Sequence, residues 1–129
     1  MKKAYDKFYL VGAGGYGKQL SIMLKSNEII KSAIFVDDKL KLNLKKFLKL
    51  KNKNNFSICI GKPKVREKIF NLLKKKKLYY STLILPNSNL YTDKIGKGNI
   101  IEHYVLLSNN VVTGTGCIFL TGSIVGHNS

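Results

Sequence analysis

The sequence has no tryptophan, two prolines, two cysteines and a single arginine among its 23 cationic residues. Each scarcity excludes something. Cys59 and Cys117 lie far apart and form no CxxC pair. A disulfide-stapled secreted scaffold or a thiolate metal site needs more ligands at closer spacing. The two thiols therefore read as buried structural residues of a protein in the reducing cytoplasm, and no metal is expected. No apolar run approaches the roughly 18 residues needed to cross a bilayer. The start, MKKAYDKFYLVGAGG, is charged, but its apolar run is short and ends in glycine. It reads as a first strand and not as a signal peptide. Acidic residues are scarce too, seven in all, which leaves a formal net charge of +16. The imbalance is local, since residues 1–77 hold 21 of the cations and five of the acids. Such a basic half can meet nucleic acid, an anionic membrane surface or an anionic small ligand. Base readout favours arginine, however, and no aromatic platform is interleaved with the lysines. They read as compositional bias, and nucleic acid is not an expected partner.

What is present is a core's worth of apolar residues, 44% of the chain, in a regular order. Phe8 to Gly12 is a short apolar run closed by glycine, hence a buried strand. Gly15 to Ser26 carries Leu20, Met23 and Leu24 at helical spacing. Ala33 to Val36 is a second strand, stopped by Asp37 and Asp38. Residues 39–55 are lysine- and leucine-rich and low in complexity. Strand, amphipathic helix and loop stay open there, and a solvated lysine face over a few core leucines is preferred to a membrane-surface helix. Phe56 to Gly61 is a third strand. Pro63 then stands where a first helical position belongs, and Val65, Ile69, Leu72 and Leu73 form a helical stripe over 63–75. Lys74 to Lys77 follow at the negative end of its dipole. Leu78 to Leu85 is a fourth extended segment. Alternating strand and helix over residues 1–85 predicts a parallel sheet covered by helices. Residues 86–129 form a second region.

In that region a period of six can be laid down. Its lead positions are Ile95, Ile101, Leu107, Thr113, Phe119 and Val125, and five of these six are apolar. The following positions include Gly96, Gly114 and Gly126, and small or β-branched residues stand four places after most leads. A hexapeptide period predicts a parallel β-helix, each step forming one face of a coil.

One motif carries chemistry. Gly12-Ala-Gly-Gly-Tyr-Gly17 matches G-x-G-x-x-G between a strand and a helix. Glycines there let backbone approach a phosphate, and the helix start offers free N–H groups. Asp37 follows 20 residues after Gly17, where a dinucleotide enzyme places the acid that takes ribose hydroxyls. The chain lacks the length for the second half of a full NAD-binding sheet, so hydride transfer is not favoured.

Taken together, GAGGYGK, the strand ending in VDD, ICIGKPKVREKI and the hexapeptide array resemble the NeuD/PglD-type sugar acyltransferases along essentially the whole chain. The resemblance implies an α/β fold, with a small Rossmann-like parallel-sheet domain (1–85) followed by the first coils of a left-handed parallel β-helix (86–129). It implies acetyl transfer from acetyl-CoA to an amino or hydroxyl group of a UDP-linked 4-amino sugar or sialic acid, in a homotrimer. By it, Gly12, Gly14, Gly15, Tyr16 and Gly17 form the loop beside the sugar nucleotide. Asp37 and Asp38 face its base or ribose, and Gly61 and Arg66 frame the same pocket. His127 matches the catalytic general base, a role for which histidine as a residue type is suited. His103 matches no motif and reads as solvent-facing.

Three departures stand out. Tyr16 replaces the histidine usual in the glycine loop. Gly126 and Asn128 replace the acids that flank the catalytic histidine, and the sequence stops at Ser129. The expectation is a C-terminally truncated member whose catalysis is impaired. The alternative is a sugar-nucleotide-binding domain without catalysis, or a gene remnant.

Overall fold

A computed structural model describes residues 4–51, 55–78 and 82–129. The chain forms two compact units, Met1–Tyr80 and Ser81–Ser129.

The first unit is an α/β layer structure. Strands β1 (Tyr5–Val11), β2 (Ile30–Val36) and β3 (Phe56–Ile58) pair in parallel in the order β2-β1-β3. Helix α1 (Gly15–Ser26) links β1 to β2, a short α2 (Leu44–Phe47) precedes β3, and α3 (Pro63–Lys75) follows it. Period-two alternation divides the central strand. Phe8 and Leu10 are buried on one side of the pleat. Val11 joins Val36, Phe56 and Ile58 on the other, against Phe47 of α2 and Leu73 of α3. Burying a side chain such as Phe47 contributes on the order of 2 kcal/mol.

Both long helices have the limits expected from their stripes and from Pro63 at the α3 start. β2 begins three residues before the expected Ala33, at Ile30. It is an edge strand of its sheet, so polar Lys31 and Ser32 can sit within it exposed. The segment left open at 39–55 contains one helical turn. Asn43 caps it by accepting from the Lys46 amide at 2.9 Å, and Phe47 buries into the core. Residues 52–54 lie outside the described residues.

The expected fourth strand of the first region is placed differently. Leu83–Ile84 (β4) pairs in parallel with Ile100–Ile101 (β6) and so forms the first rung of the second unit. Residues 79–81 of that expected strand lie outside the described residues. The reason is the hexapeptide register: Leu83 lies 17 residues before its partner Ile100, and Ile100 lies 18 before Ile118.

The second unit is a left-handed parallel β-helix. One side stacks β4, β6 and β8 (Ile118–Phe119); a second stacks β5 (Asn89–Leu90), β7 (Leu106–Leu107) and β9 (Ile124–Val125). A third side is irregular, held by Thr113 N donating to Lys94 O at 3.0 Å and Gly96 N to Thr113 Oγ1 at 3.0 Å. The lead positions of the period point inward: Ile101 and Leu107 are buried with Val105 and Val111, and Ile95, Phe119 and Val125 pack against them. At the corners Asn87, Asn110 and Asn128 adopt left-handed backbone, with φ of 68°, 58° and 60°, a conformation asparagine tolerates. Asn99 is fully buried and fully bonded. Its amide donates to Gly96 O, Thr113 Oγ1 and Gly114 O at 2.9–3.1 Å and its carbonyl accepts from Cys117 N at 2.8 Å.

Among the described residues no helix is long and apolar enough to cross a membrane. Cys59 is buried as expected, while Cys117 is partly exposed, because it lies near the upper described coil; both thiols are free. His103, expected to face solvent, is partly shielded, with Nδ1 3.0 Å from Pro86 O of the coil below.

Candidate functional site

All three strands of the first unit run parallel, so the loops after them share one end of the sheet. The order β2-β1-β3 sends the chain from β1 to one side and from β2 across to the other. That creates a topological switch point between β1 and β3, where open α/β sheets place their ligands. The glycine loop leaves β1 there, and the Ile60–Gly61 loop leaves β3 beside it.

The three motif glycines have three separate physical reasons. Gly12 turns the chain at φ 122°, and a Cβ on it would come within 2.8 Å of Ile60 Cγ1. Gly17 lies where a Cβ would overlap the Gly12 carbonyl oxygen, so helix α1 can approach β1 only without a side chain there. Gly14 has nothing within 4 Å of an added Cβ. No packing of the protein demands glycine at Gly14, whereas close approach of a ligand to backbone would. Gly15 and Gly61 are open in the same way. Cys59 lies beneath the loop with Sγ 3.3 Å from Gly12 O. Its burial pushes the thiol up to about 12, so it is a packing group and not a nucleophile.

Neither long helix has a side-chain cap, and neither carries an acid in its first turn. Their N-terminal N–H groups and dipoles therefore present partial positive charge at this end of the sheet, beside the Asp37 and Asp38 carboxylates. A cleft of about 180 Å³ opens beside the loop. Gly12, Asp37, Asp38, Ile60, Val65 and Ile69 are among its walls. It has the size for one ring-like group, well below the roughly 300–1,000 Å³ that encloses a whole drug-sized ligand. Of the helical stripe, Ile69 packs against the core and also lines this cleft, while Val65 lines it and is 40% exposed.

Asp37 accepts from Ala13 N at 3.0 Å and from Lys39 N at 3.0 Å. These two amides, the first above all, together with the Lys39 charge, hold its carboxyl below the usual range despite some desolvation. Asp38 is exposed and receives one long contact, from Leu44 N at 3.4 Å. Arg66 Nη1 donates to Ile60 O at 2.8 Å and Gly61 O at 3.3 Å. Its guanidinium thus ties the loop after β3 to α3. Tyr16 is partly buried on the first turn of α1. The structure brings Gly12, Gly14, Gly15, Tyr16, Gly17, Asp37, Asp38, Gly61 and Arg66 to one end of one sheet.

His127 belongs to the second unit, exposed at a coil corner. The Asn128 amide nitrogen lies 3.0 Å from its Nδ1, and Asn128 Oδ1 accepts from Asn110 Nδ2 at 3.2 Å. Asn128 N donates to Asn109 O at 3.1 Å, so the corner stacks on the coil below. Turning both side-chain amides together reverses the two side-chain contacts and leaves this chain intact. In that arrangement Nδ1–H donates to Asn128 and Nε2 carries the free lone pair a base requires. Two features escaped the sequence reading. The Ala13–Asp37 bond spans 24 residues. Glu102 is buried, its Oε1 accepting from Thr121 N and Oγ1 at 3.1 and 2.9 Å. No local pattern signals either.

Several solved structures share the fold, among them the following three. The acetyltransferase domain of PglB from Neisseria gonorrhoeae FA1090, in complex with acetyl coenzyme A, is 19% identical over 97% of this chain and 66% of its own, with TM-score 0.80. WeeI from Acinetobacter baumannii AYE is 23% identical over 94% and 64%, TM-score 0.79. PerB from Caulobacter crescentus, in complex with CoA and GDP-perosamine, is 18% identical over 98% and 66%, TM-score 0.75. The chain thus spans just under two thirds of the length of each. Comparison with curated proteins gives no match. The profile of the PglD N-terminal domain matches residues 7–73, more than half of the sequence and the whole of the switch-point site, and the chain belongs to that family.

Proposed function

We propose that the chain binds a nucleotide-linked sugar over the glycine loop of its first unit and takes part in acetyl transfer from acetyl-CoA to an amine or hydroxyl of that sugar. The observation that carries the binding half is the open backbone of Gly14, at an uncapped helix start beside an acidic strand end. A diphosphate fits the N–H groups, and a base or ribose fits the cleft edge at Asp38. The transfer half is supported by the shared fold of acetyltransferases that bind acetyl coenzyme A, or CoA with GDP-perosamine. His127 Nε2 would take the proton as the sugar nitrogen or oxygen attacks the thioester carbon. The C–S bond then breaks and CoA leaves as a thiolate that is reprotonated. The reaction belongs in the cytoplasm, with the co-substrate, and in a homotrimer. The outward column of Leu106 and Ile124, the latter 74% exposed, offers an apolar face for such an assembly.

The test is calorimetric titration with UDP and GDP, followed by thiol detection of CoA release in the presence of UDP-4-amino sugar or sialic acid. Binding together with release that His127→Ala abolishes supports the whole proposal. Absence of nucleotide binding sinks it. Binding without release selects the second reading, a sugar-nucleotide-binding protein without catalysis. That reading is favoured by Gly126 and Asn128 standing beside His127, where a carboxylate would stabilise an imidazolium.

A further inference from the structure

We infer that the two adjacent acids divide the work: Asp37 is a positioning residue that fixes the glycine loop for phosphate, and Asp38 is the acid that meets the nucleoside. The inference rests on the nucleotide-sugar reading above. The family resemblance assigns both acids to the base or ribose. The geometry separates them.

A carboxylate gripping a ribose turns its two oxygens to two hydroxyls. Each oxygen of Asp37 is turned to backbone instead. Oδ2 accepts from the amide of Ala13, between Gly12 and Gly14, and Oδ1 accepts from Lys39, both at 3.0 Å. Backbone bonds reinforce the same junction. Gly12 N donates to Val36 O at 2.8 Å, Asp37 N to Leu42 O at 3.1 Å and Leu40 N to Asp37 O at 2.9 Å. The phosphate loop and the turn after β2 are therefore one hydrogen-bonded body with the Asp37 carboxylate at its centre. Turning Ala13 N–H toward Asp37 also removes it from the ligand side. The first-turn amides of α1 are left to face a phosphate beside the unobstructed Gly14.

Asp38 has the opposite profile. Both acids line the cleft, but Asp38 is the exposed one, and among the described residues its contact with Leu44 N, at 3.4 Å, is long for a hydrogen bond. Its carboxylate is available to a ribose hydroxyl or a base N–H without undoing any short bond.

The test uses the full chain with two probes, UDP and inorganic pyrophosphate, in calorimetric titrations of the wild type, Asp37→Asn and Asp38→Asn. Asparagine at 37 can accept from one of the two amides but presents a donor to the other. Losing one charge-assisted bond in the loop is expected to weaken both probes by the same factor, about tenfold. Asp38→Asn is expected to weaken UDP and leave pyrophosphate unchanged. Amide-resolved NMR of the unliganded proteins supplies a readout that general destabilisation would not move. Asp37→Asn should displace the Ala13 and Lys39 amides while β1 and β3 stay put. If Asp37→Asn weakens UDP alone, or leaves the Ala13 amide unmoved, the inference is overturned. If the wild type binds neither probe, the function reading itself falls, whereas a displaced Ala13 amide would still leave the brace standing as architecture alone.

Discussion

Replacing Gly14 or Gly17 by alanine separates the two reasons a loop can need glycine. At Gly17 the new Cβ meets the Gly12 carbonyl oxygen, a backbone atom that no rotamer change can remove. Helix α1 must move off β1. Overpacking of this kind costs about 3 kcal/mol, or roughly 12–24 °C in melting temperature for a unit of this size. At Gly14 the Cβ enters open space and the backbone is extended, with φ −77° and ψ −168°. Reduced freedom of the unfolded chain contributes about 0.4–1 kcal/mol of stability. Poorer N-capping by alanine offsets a comparable amount. The net change stays within about 0.5 kcal/mol, or roughly 2–4 °C. The methyl group nevertheless stands where the proposed phosphate would lie, and UDP affinity should fall at least tenfold, about 1.4 kcal/mol. Melting followed by circular dichroism and UDP titration by calorimetry measure both quantities on the same samples. A Gly14→Ala protein that binds UDP as tightly as the wild type would refute the phosphate-loop argument. A Gly17→Ala protein that melts with the wild type would refute the packing argument.

The thiols should react in sequence. With its pKa near 12, only about one part in ten thousand of Cys59 is thiolate at pH 8. One thiol, partly exposed Cys117, therefore titrates with an aromatic disulfide reagent in the native protein and the second only in denaturant; two fast equivalents would contradict the burial of Cys59. The Asp37 carboxyl sits below its ordinary value of 3.8 because the Ala13 and Lys39 amides favour the charged form. Its contribution to stability is thus present above that value and lost as pH falls through the lower folded one. The urea midpoint of the wild type should drop more steeply below about pH 4 than that of Asp37→Asn, and parallel curves would argue against the bonds. Asn99→Ala strands the Cys117 amide and three acceptors in the β-helix interior. It should cost about 3 kcal/mol or more, read as faster hydrogen exchange at Cys117; unchanged exchange would show that water replaces the side chain.

How much of this was legible beforehand follows from the range of the forces involved. Helices α1 and α3 could be delimited because stripe, glycine and proline are local signals, all within one or two turns. The β-helix could be read because each six-residue step must turn the same kind of side chain inward. Ile101, Leu107, Phe119 and Val125 obey that rule whatever surrounds them. The Leu78–Leu85 segment misled because extended apolar residues fit a flat sheet and a β-helix rung equally well. The pairing of Leu83 with Ile100 decides the matter, and it is a contact across 17 residues.

The same limit explains the two acids. Asp37 and Asp38 are chemically identical neighbours at the end of one strand; spacing points to Asp37 and the family resemblance to both, each toward the nucleoside. What distinguishes them is the pleat and the turn. Both acids line the cleft, but one carboxylate is held by Ala13, 24 residues away in sequence and 3.0 Å away in space, and the other has only a long contact with Leu44 N. A motif marks where phosphate chemistry is possible. Which side chain touches the ligand, and which holds the loop that does, is set by contacts that only the folded sheet creates.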